Sequence, residues 1–143
     1  RRYRASRAGC RVSQILVVDA AVVVDLLARF RPQPIEELLW VPGTILAAPE
    51  LLDIEVLNAL RKLDLTGAIP SSRKADLPRL LQALRIRKYR HANLLDGIWP
   101  LRKNLTAYDA AYVVLAKLLD ATLVTRDTRL ANAPGLPVKA LTP

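Results

Sequence analysis

Four carboxylates sit where an isolated acid is costly. Asp19 directly follows the apolar run ILVV, and Asp127 comes two residues after ATLVT. If both runs are parallel strands, both acids stand at strand carboxyl ends, where open α/β folds place their ligand crevices. Asp109 lies in TAYDAAYVVLAKLLD, a stretch apolar almost all round, with Tyr112, Val113 and Ala116 on its own stripe. Taken alone, Asp109 is explained by its place in a first helical turn, where an acid complements the helix dipole. Glu55 falls between Ile54 and Val56 at one edge of an apolar helical face, and Asp53 falls at the other edge. Periodicity does not choose between them. Lone carboxylates near a core are unfavourable unless a cation pairs with them, and only Arg126 and Arg129 lie close in sequence to any of these acids. Acids converging on one crevice suit Mg²⁺ or Mn²⁺, which take hard oxygen ligands in octahedral geometry. Such ions acidify a water and offset charge on a phosphate during in-line displacement. The pattern points to a metal-dependent phosphodiesterase.

The inventory excludes other chemistries. The chain has 143 residues, one Cys, one His and no Met. One His and one Cys cannot build a common structural zinc site, and Cys10 has no disulfide partner in the chain. The five glycines stand singly, so there is no G-x-S-x-G, P-loop or G-x-G-x-x-G. With 52% hydrophobic and 24% charged residues, the composition is that of one globular domain.

The net charge of +9 is unevenly placed: +5 in residues 1–14, +7 in residues 73–103, and −3 in all the rest. A basic segment beside an acidic remainder implies an anionic partner held near a separate acidic site. Arg85, Arg87, Lys88, Arg90, Arg102 and Lys103 are the candidates for phosphate contacts, with Tyr89 available for stacking. The bland alternative is a solvated helix face. Residues 15–28 imitate a signal peptide after the Arg-rich start, but Asp19 and Asp25 interrupt the apolar run and no cleavage site follows. No apolar stretch reaches membrane-spanning length, so a cytoplasmic protein without a membrane partner is expected.

The elements that must position these acids alternate. Strands are expected at 14–20, 44–48, 121–125 and 136–141. Helices are expected at 21–30, 35–41, 49–65, 71–85, 91–104 and 106–120, with a short one after Arg126. That order implies an α/β sandwich with a mainly parallel sheet. Thr106 reads as an N-cap with Asp109 three positions on. Asp25 reads as a solvated or salt-bridged helix residue, with a fifth acid near the site as the other reading, His91 as a helix cap or RNA contact, and Trp40 and Trp99 as packing residues of the core or a subunit interface. Residues 1–13 are expected to be a basic N-terminal extension foreign to the domain, which spans 14–143.

The stretches ILVVDAAVVVDLL (15–27), APELLDIEVLNALRKL (48–63) and NLTAYDAAYVVLAKLLDATLVTRDTRLA (104–131) together resemble the PIN-domain ribonucleases, specifically the VapC toxins of bacterial toxin–antitoxin pairs. The resemblance implies a PIN-like three-layer α/β/α sandwich and a Mg²⁺- or Mn²⁺-dependent endoribonuclease cutting tRNA or structured ribosomal RNA. Carried over by position, the acidic quartet of catalysis and metal binding is Asp19, Glu55, Asp109 and Asp127. Glu55, not Asp53, aligns with the family's glutamate, and Thr125 with a hydroxyl residue lining the site. The resemblance further implies a cognate VapB-type antitoxin, DNA contact only through that antitoxin, and a homodimer. Two positions depart from the pattern. Ala21 stands where a Ser or Thr is frequent, removing a hydroxyl that would support Asp19. Pro100 interrupts the W-E-L-R pattern as Trp99-Pro100-Leu101-Arg102, so a kink is expected there. A catalytically inactive PIN-like binding module is the alternative reading, and a receiver-like domain phosphorylated on an Asp a further one.

Overall fold

The computed structural model describes residues 13–29 and 32–143. The basic extension expected at 1–13 therefore lies outside the described residues except for Ser13, as does Phe30 at the end of the first expected helix. Ser13 is tied to the domain, donating from its amide to the Gly43 carbonyl at 3.0 Å and from its hydroxyl to that of Pro42 at 2.9 Å.

Among the described residues five strands form one sheet: β1 (Gln14–Val18), β2 (Thr44–Pro49), β3 (Ile86–Tyr89), β4 (Thr122–Val124) and β5 (Ala140–Leu141). Their order across the sheet is β3-β2-β1-β4-β5, and every pairing is parallel. The register sets Val17 beside Ala47 on one side and beside Leu123 on the other. Leu16, Val17, Val18, Leu123 and Val124 are buried, which is why these segments are continuously apolar rather than alternating.

Among the described residues eight α-helices surround the sheet: α1 (Ala20–Ala28), α2 (Pro32–Leu39), α3 (Leu52–Leu65), α4 (Ser71–Lys74), α5 (Leu77–Ala83), α6 (Leu95–Ile98), α7 (Ala107–Leu118) and α8 (Thr128–Ala131). The chain first moves outward from β1 through β2 to β3, then returns across the sheet to β4. Right-handed crossovers put helices of opposite travel on opposite faces. Accordingly α1 packs against α2, α3 and α5, whereas α7 packs over β1, β2 and β4 with α6 beside it. The result is the expected α/β/α sandwich. Gly97 permits the close fit of α6 on α7, because a Cβ there would lie 2.6 Å from Cγ1 of buried Val114.

Several expected boundaries shift for identifiable reasons. β3 occupies 86–89, a gap between expected helices for which no element is expected: IRKY pairs with β2 as an edge strand, and two exposed cations hide its strand character. Pro49 closes β2 opposite Tyr89 instead of opening the helix, so α3 starts at Leu52. The stretch 71–85 divides into α4 and α5, with Pro78 in the first turn of the second. The stretch 91–104 is three short pieces, and Trp99–Leu101 forms a 3₁₀ turn at the expected Pro100 kink. The last strand is only Ala140–Leu141.

Candidate active site

β1 is the point where chain travel reverses, with β2 reached on one side and β4 on the other. Loops leaving β1 and β4 therefore diverge and leave a crevice at their carboxyl ends. Asp19 and Thr125 are the first residues beyond those two strands. Thr125 is fully buried, at 0% exposure, and its hydroxyl donates to Asp19 Oδ2. The same hydroxyl oxygen accepts from the Asp127 amide at 2.9 Å, and the Arg126 amide donates to Asp19 Oδ2 at 3.3 Å. Asp19 Oδ1 accepts from the Val22 amide at 2.9 Å, which makes Asp19 the N-cap of α1. The carboxylate is thus oriented from the β4 side, without the hydroxyl that Ala21 lacks.

Glu55 and Asp109 approach from opposite layers. Glu55 lies in the first turn of α3 and accepts from the Tyr112 hydroxyl at 2.6 Å. Tyr112 is buried one helical turn beyond Asp109 on α7, so the two share a face. Asp109 is held by a reciprocal cap: its amide donates to Thr106 Oγ1 at 3.1 Å, and that hydroxyl donates to Asp109 Oδ2 at 2.9 Å. Asp127 caps α8, accepting from the amides of Arg129 at 2.9 Å and Leu130 at 3.2 Å. The choice between Asp53 and Glu55 is now a matter of position. Asp53 Oδ1 pairs with Lys88 Nζ of the edge strand at 2.7 Å, whereas Glu55 faces Tyr112.

The electrostatics follow from this packing. Burial raises the Asp19 carboxyl above its ordinary range, opposed by the Thr125 hydroxyl and the Val22 and Arg126 amides, with the Asp127 charge adding to the rise. Burial likewise raises Glu55; Tyr112 works against the rise, and the charges of Asp109 and Asp19 add to it. Tyr112 is itself pushed far up by burial and by its bond to Glu55, so it stays a donor at any physiological pH. Asp127 behaves oppositely. Its slight burial acts upward, but the Leu130 and Arg129 amides and the Arg129 guanidinium hold it below the ordinary range.

Mutual repulsion and an all-oxygen donor set are what a hard divalent cation answers, so the residues fit such an ion in kind. Among the described residues, however, no three His, Cys, Asp or Glu side chains are gathered closely enough to hold one. The reason is local. Each carboxylate is drawn to its own donors, Asp19 to Thr125, Glu55 to Tyr112, Asp109 to Thr106 and Asp127 to helix amides. Two clefts flank the crevice: one of about 390 Å³ bordered by Asn104, Asp109, Asp127 and Arg129, the other of about 560 Å³ bordered by Ala21, Asp25, Glu55 and Lys62.

The remaining candidates divide. Arg87 and Lys88 lie on β3 with Arg85 and Arg90 at its ends, all exposed, while Arg102 and Lys103 sit in the turn before α7. Tyr89 packs partly against the core, so its ring is less available for stacking than expected. His91 Nε2 accepts from the Leu51 amide at 2.9 Å, the cap expected of it, at the start of α3. Asp25 pairs with Arg126 Nε at 2.7 Å, as expected of a salt-bridged helix residue. Trp40 and Trp99 are not core residues: they are 51% and 68% exposed, because both stand in turns at helix ends. Tyr112 was not singled out as a site residue, and a phenol three positions after Asp109 in an otherwise aliphatic stripe was the available signal.

A family model for the PIN domain matches residues 16–136. Ribonuclease VapC1 of Mycobacterium tuberculosis is 44% identical over 122 residues, covering 85% of this chain and 92% of its own. Ribonuclease VapC3 of the same species is 35% identical over 118 residues, covering 82% and 86%. Among solved structures, a toxin-antitoxin complex from Klebsiella pneumoniae superposes with a TM-score of 0.62 at 22% identity, covering 89% of this chain and 96% of that one.

Proposed function

The chain belongs to the PIN-domain family, in its VapC branch, and from that premise we propose that it is an endoribonuclease, the toxin of a toxin–antitoxin pair, cutting tRNA or structured ribosomal RNA. The observation that carries this reading is the meeting of Asp19 with Thr125 across the β1/β4 crevice, with Glu55 and Asp109 facing in from opposite helical layers. Asp19, Glu55, Asp109 and Asp127 would hold Mg²⁺ or Mn²⁺. When bound, such an ion supplies an acidified water and offsets charge on the scissile phosphate. The chain's own residues do the rest. Thr125 orients Asp19, Tyr112 orients Glu55, and the α8 amides keep Asp127 ionised.

An antitoxin of the VapB type is the expected partner, because a relative of the same fold is solved as a toxin-antitoxin complex. A cation from that partner would suit the acidic crevice. From the same family membership we further propose a homodimer, contact with DNA only through the antitoxin, and action in the cytoplasm. One observation favours a second reading, a non-cleaving RNA- or protein-binding module: the carboxylates do not close into a cage. Incubating total cellular RNA with the protein and Mn²⁺, beside Asp109→Asn, decides between them. New 5′ ends made by the wild type and absent with the variant support the nuclease, and no cleavage by either supports the binding module.

A further inference from the structure

Trp99 lies 68% open to solvent on the 3₁₀ turn before α7. The Arg102 guanidinium is 4.8 Å from its ring centroid, and Arg102 Nη1 donates to the Trp99 carbonyl at 3.0 Å. The cation is thereby held over one indole face. Neither Arg102 nor Lys103 pairs with an acid among the described residues, and no acid occurs from Gly97 to Tyr108. The turn is closed on itself, since the Asn104 and Leu105 amides both donate to the Leu101 carbonyl at 3.0 Å, and it packs against α7. Two residues past Thr106, Tyr108 presents a second aromatic ring, 65% exposed, next to Asp109. Asn104 borders the same cleft as Asp109 and Asp127.

We propose that the surface from Trp99 and Arg102 through Lys103 to Tyr108 is a stacking platform that holds unpaired bases of an RNA strand beside the acidic crevice. This rests on the ribonuclease reading and adds to it the residues that would grip the strand, Trp99 and Tyr108 through their rings and Arg102 through its charge. Every base has a π-face, so an aromatic ring with an adjacent guanidinium binds unpaired nucleotides with little sequence preference. Bases stacked within a duplex cannot reach such a ring. Charge favours this occupant over a protein, because the segment offers cations and aromatic rings and no acid. Exposed Leu95 on α6 makes a second copy of this chain the rival occupant.

The test uses the full chain in EDTA, a fluorescein-labelled unstructured oligoribonucleotide of mixed sequence, and a duplex of equal length. The wild type should prefer the single strand. Trp99→Ala should bind it about 5- to 100-fold more weakly, the range set by one lost base stack, and Trp99→Phe should stay close to the wild type. Arg102→Ala should also lower the salt dependence of binding by about one phosphate contact. Unchanged binding by Trp99→Ala and Arg102→Ala overturns the platform while leaving the ribonuclease reading intact. Loss of binding by Trp99→Ala accompanied by a changed oligomeric state in sedimentation overturns it in favour of self-association. A wild type that neither binds nor cuts RNA overturns the ribonuclease reading and the platform together.

Discussion

Thr125→Val replaces the buried hydroxyl at the crevice with a methyl group of nearly the same volume, so no cavity opens. Two interactions disappear: the donation to Asp19 Oδ2 and the acceptance from the Asp127 amide. A hydrogen bond to a charged partner contributes about 1.5–3 kcal/mol, and a neutral one about 1 kcal/mol. The variant should lose about 3 kcal/mol near neutral pH, lowering Tm by roughly 10 °C in a domain of this size. The two parts separate by pH. Asp19 has a folded pKa above its unfolded value, so its ionisation opposes folding at neutral pH and the protein regains stability as pH falls through that folded pKa. Without Thr125 the folded pKa rises further, and the penalty at neutral pH grows. The gap between variant and wild type is therefore largest at neutral pH and narrows as pH falls through the folded pKa of Asp19, leaving about 1 kcal/mol for the unpaired Asp127 amide. Asp127 titrates lower, because its folded pKa is held below the ordinary range. Thermal unfolding of both proteins from neutral pH down through the Asp19 titration measures the gap. A gap that stays constant with pH would refute the claim that this hydroxyl acts on an ionised Asp19.

Glu55→Gln should reduce RNA cleavage by at least about 100-fold, a loss typical of one positioned catalytic group, while Asp53→Asn should leave it within a few-fold. Equal losses in a gel-based cleavage assay would contradict the separate orientations of the two side chains. Mn²⁺ at 100 times its Kd should stabilise the folded chain by about 2.7 kcal/mol, read as a rise in Tm, and Asp19→Asn should remove that rise. A metal-independent melting curve for the wild type would count against the ion. Gly97→Ala should destabilise the chain by about 1–3 kcal/mol, because its Cβ would sit 2.6 Å from a stiff, buried Val114 side chain. An unchanged denaturant midpoint would show that α6 can lift from α7 freely.

What was legible in the sequence was whatever burial had written into it. ILVV and ATLVT announce central strands because both faces are covered, and the acids after them then fall at strand ends by geometry alone. β3 was illegible for the converse reason. It is an edge, its two central residues are the cations Arg87 and Lys88, the second paired with Asp53, and its partner β2 contributes the pairing that its own residues do not advertise. The Asp53 and Glu55 ambiguity could not be resolved from one helix, since the residues that separate them, Lys88 and Tyr112, are distant in sequence. Tyr112 was read as part of an apolar stripe, as a buried ring should be; only its phenol, aimed at another helix, carries the site chemistry. Thr125 was identified by resemblance, and the structure adds its physical task of binding an acid 106 residues away.

Three of the four acids also begin helices: Asp19 caps α1, Asp109 completes the cap of α7, and Asp127 caps α8. If the chain acts as the toxin proposed above, a cell escaping it by mutation would meet two routes at the same codons. Replacement by Ala removes the acid and also about 1 kcal/mol of capping, enough to lower steady-state abundance several-fold when stability is marginal. Replacement by Asn keeps the capping oxygen and removes only the charge. Survivors carrying Ala would then be depleted of the protein, and survivors carrying Asn would accumulate an intact but silent one. On the toxin reading proposed above, that silent protein would still present the fold to an antitoxin, so the same position offers two genetically distinct outcomes, one that frees the partner and one that continues to occupy it.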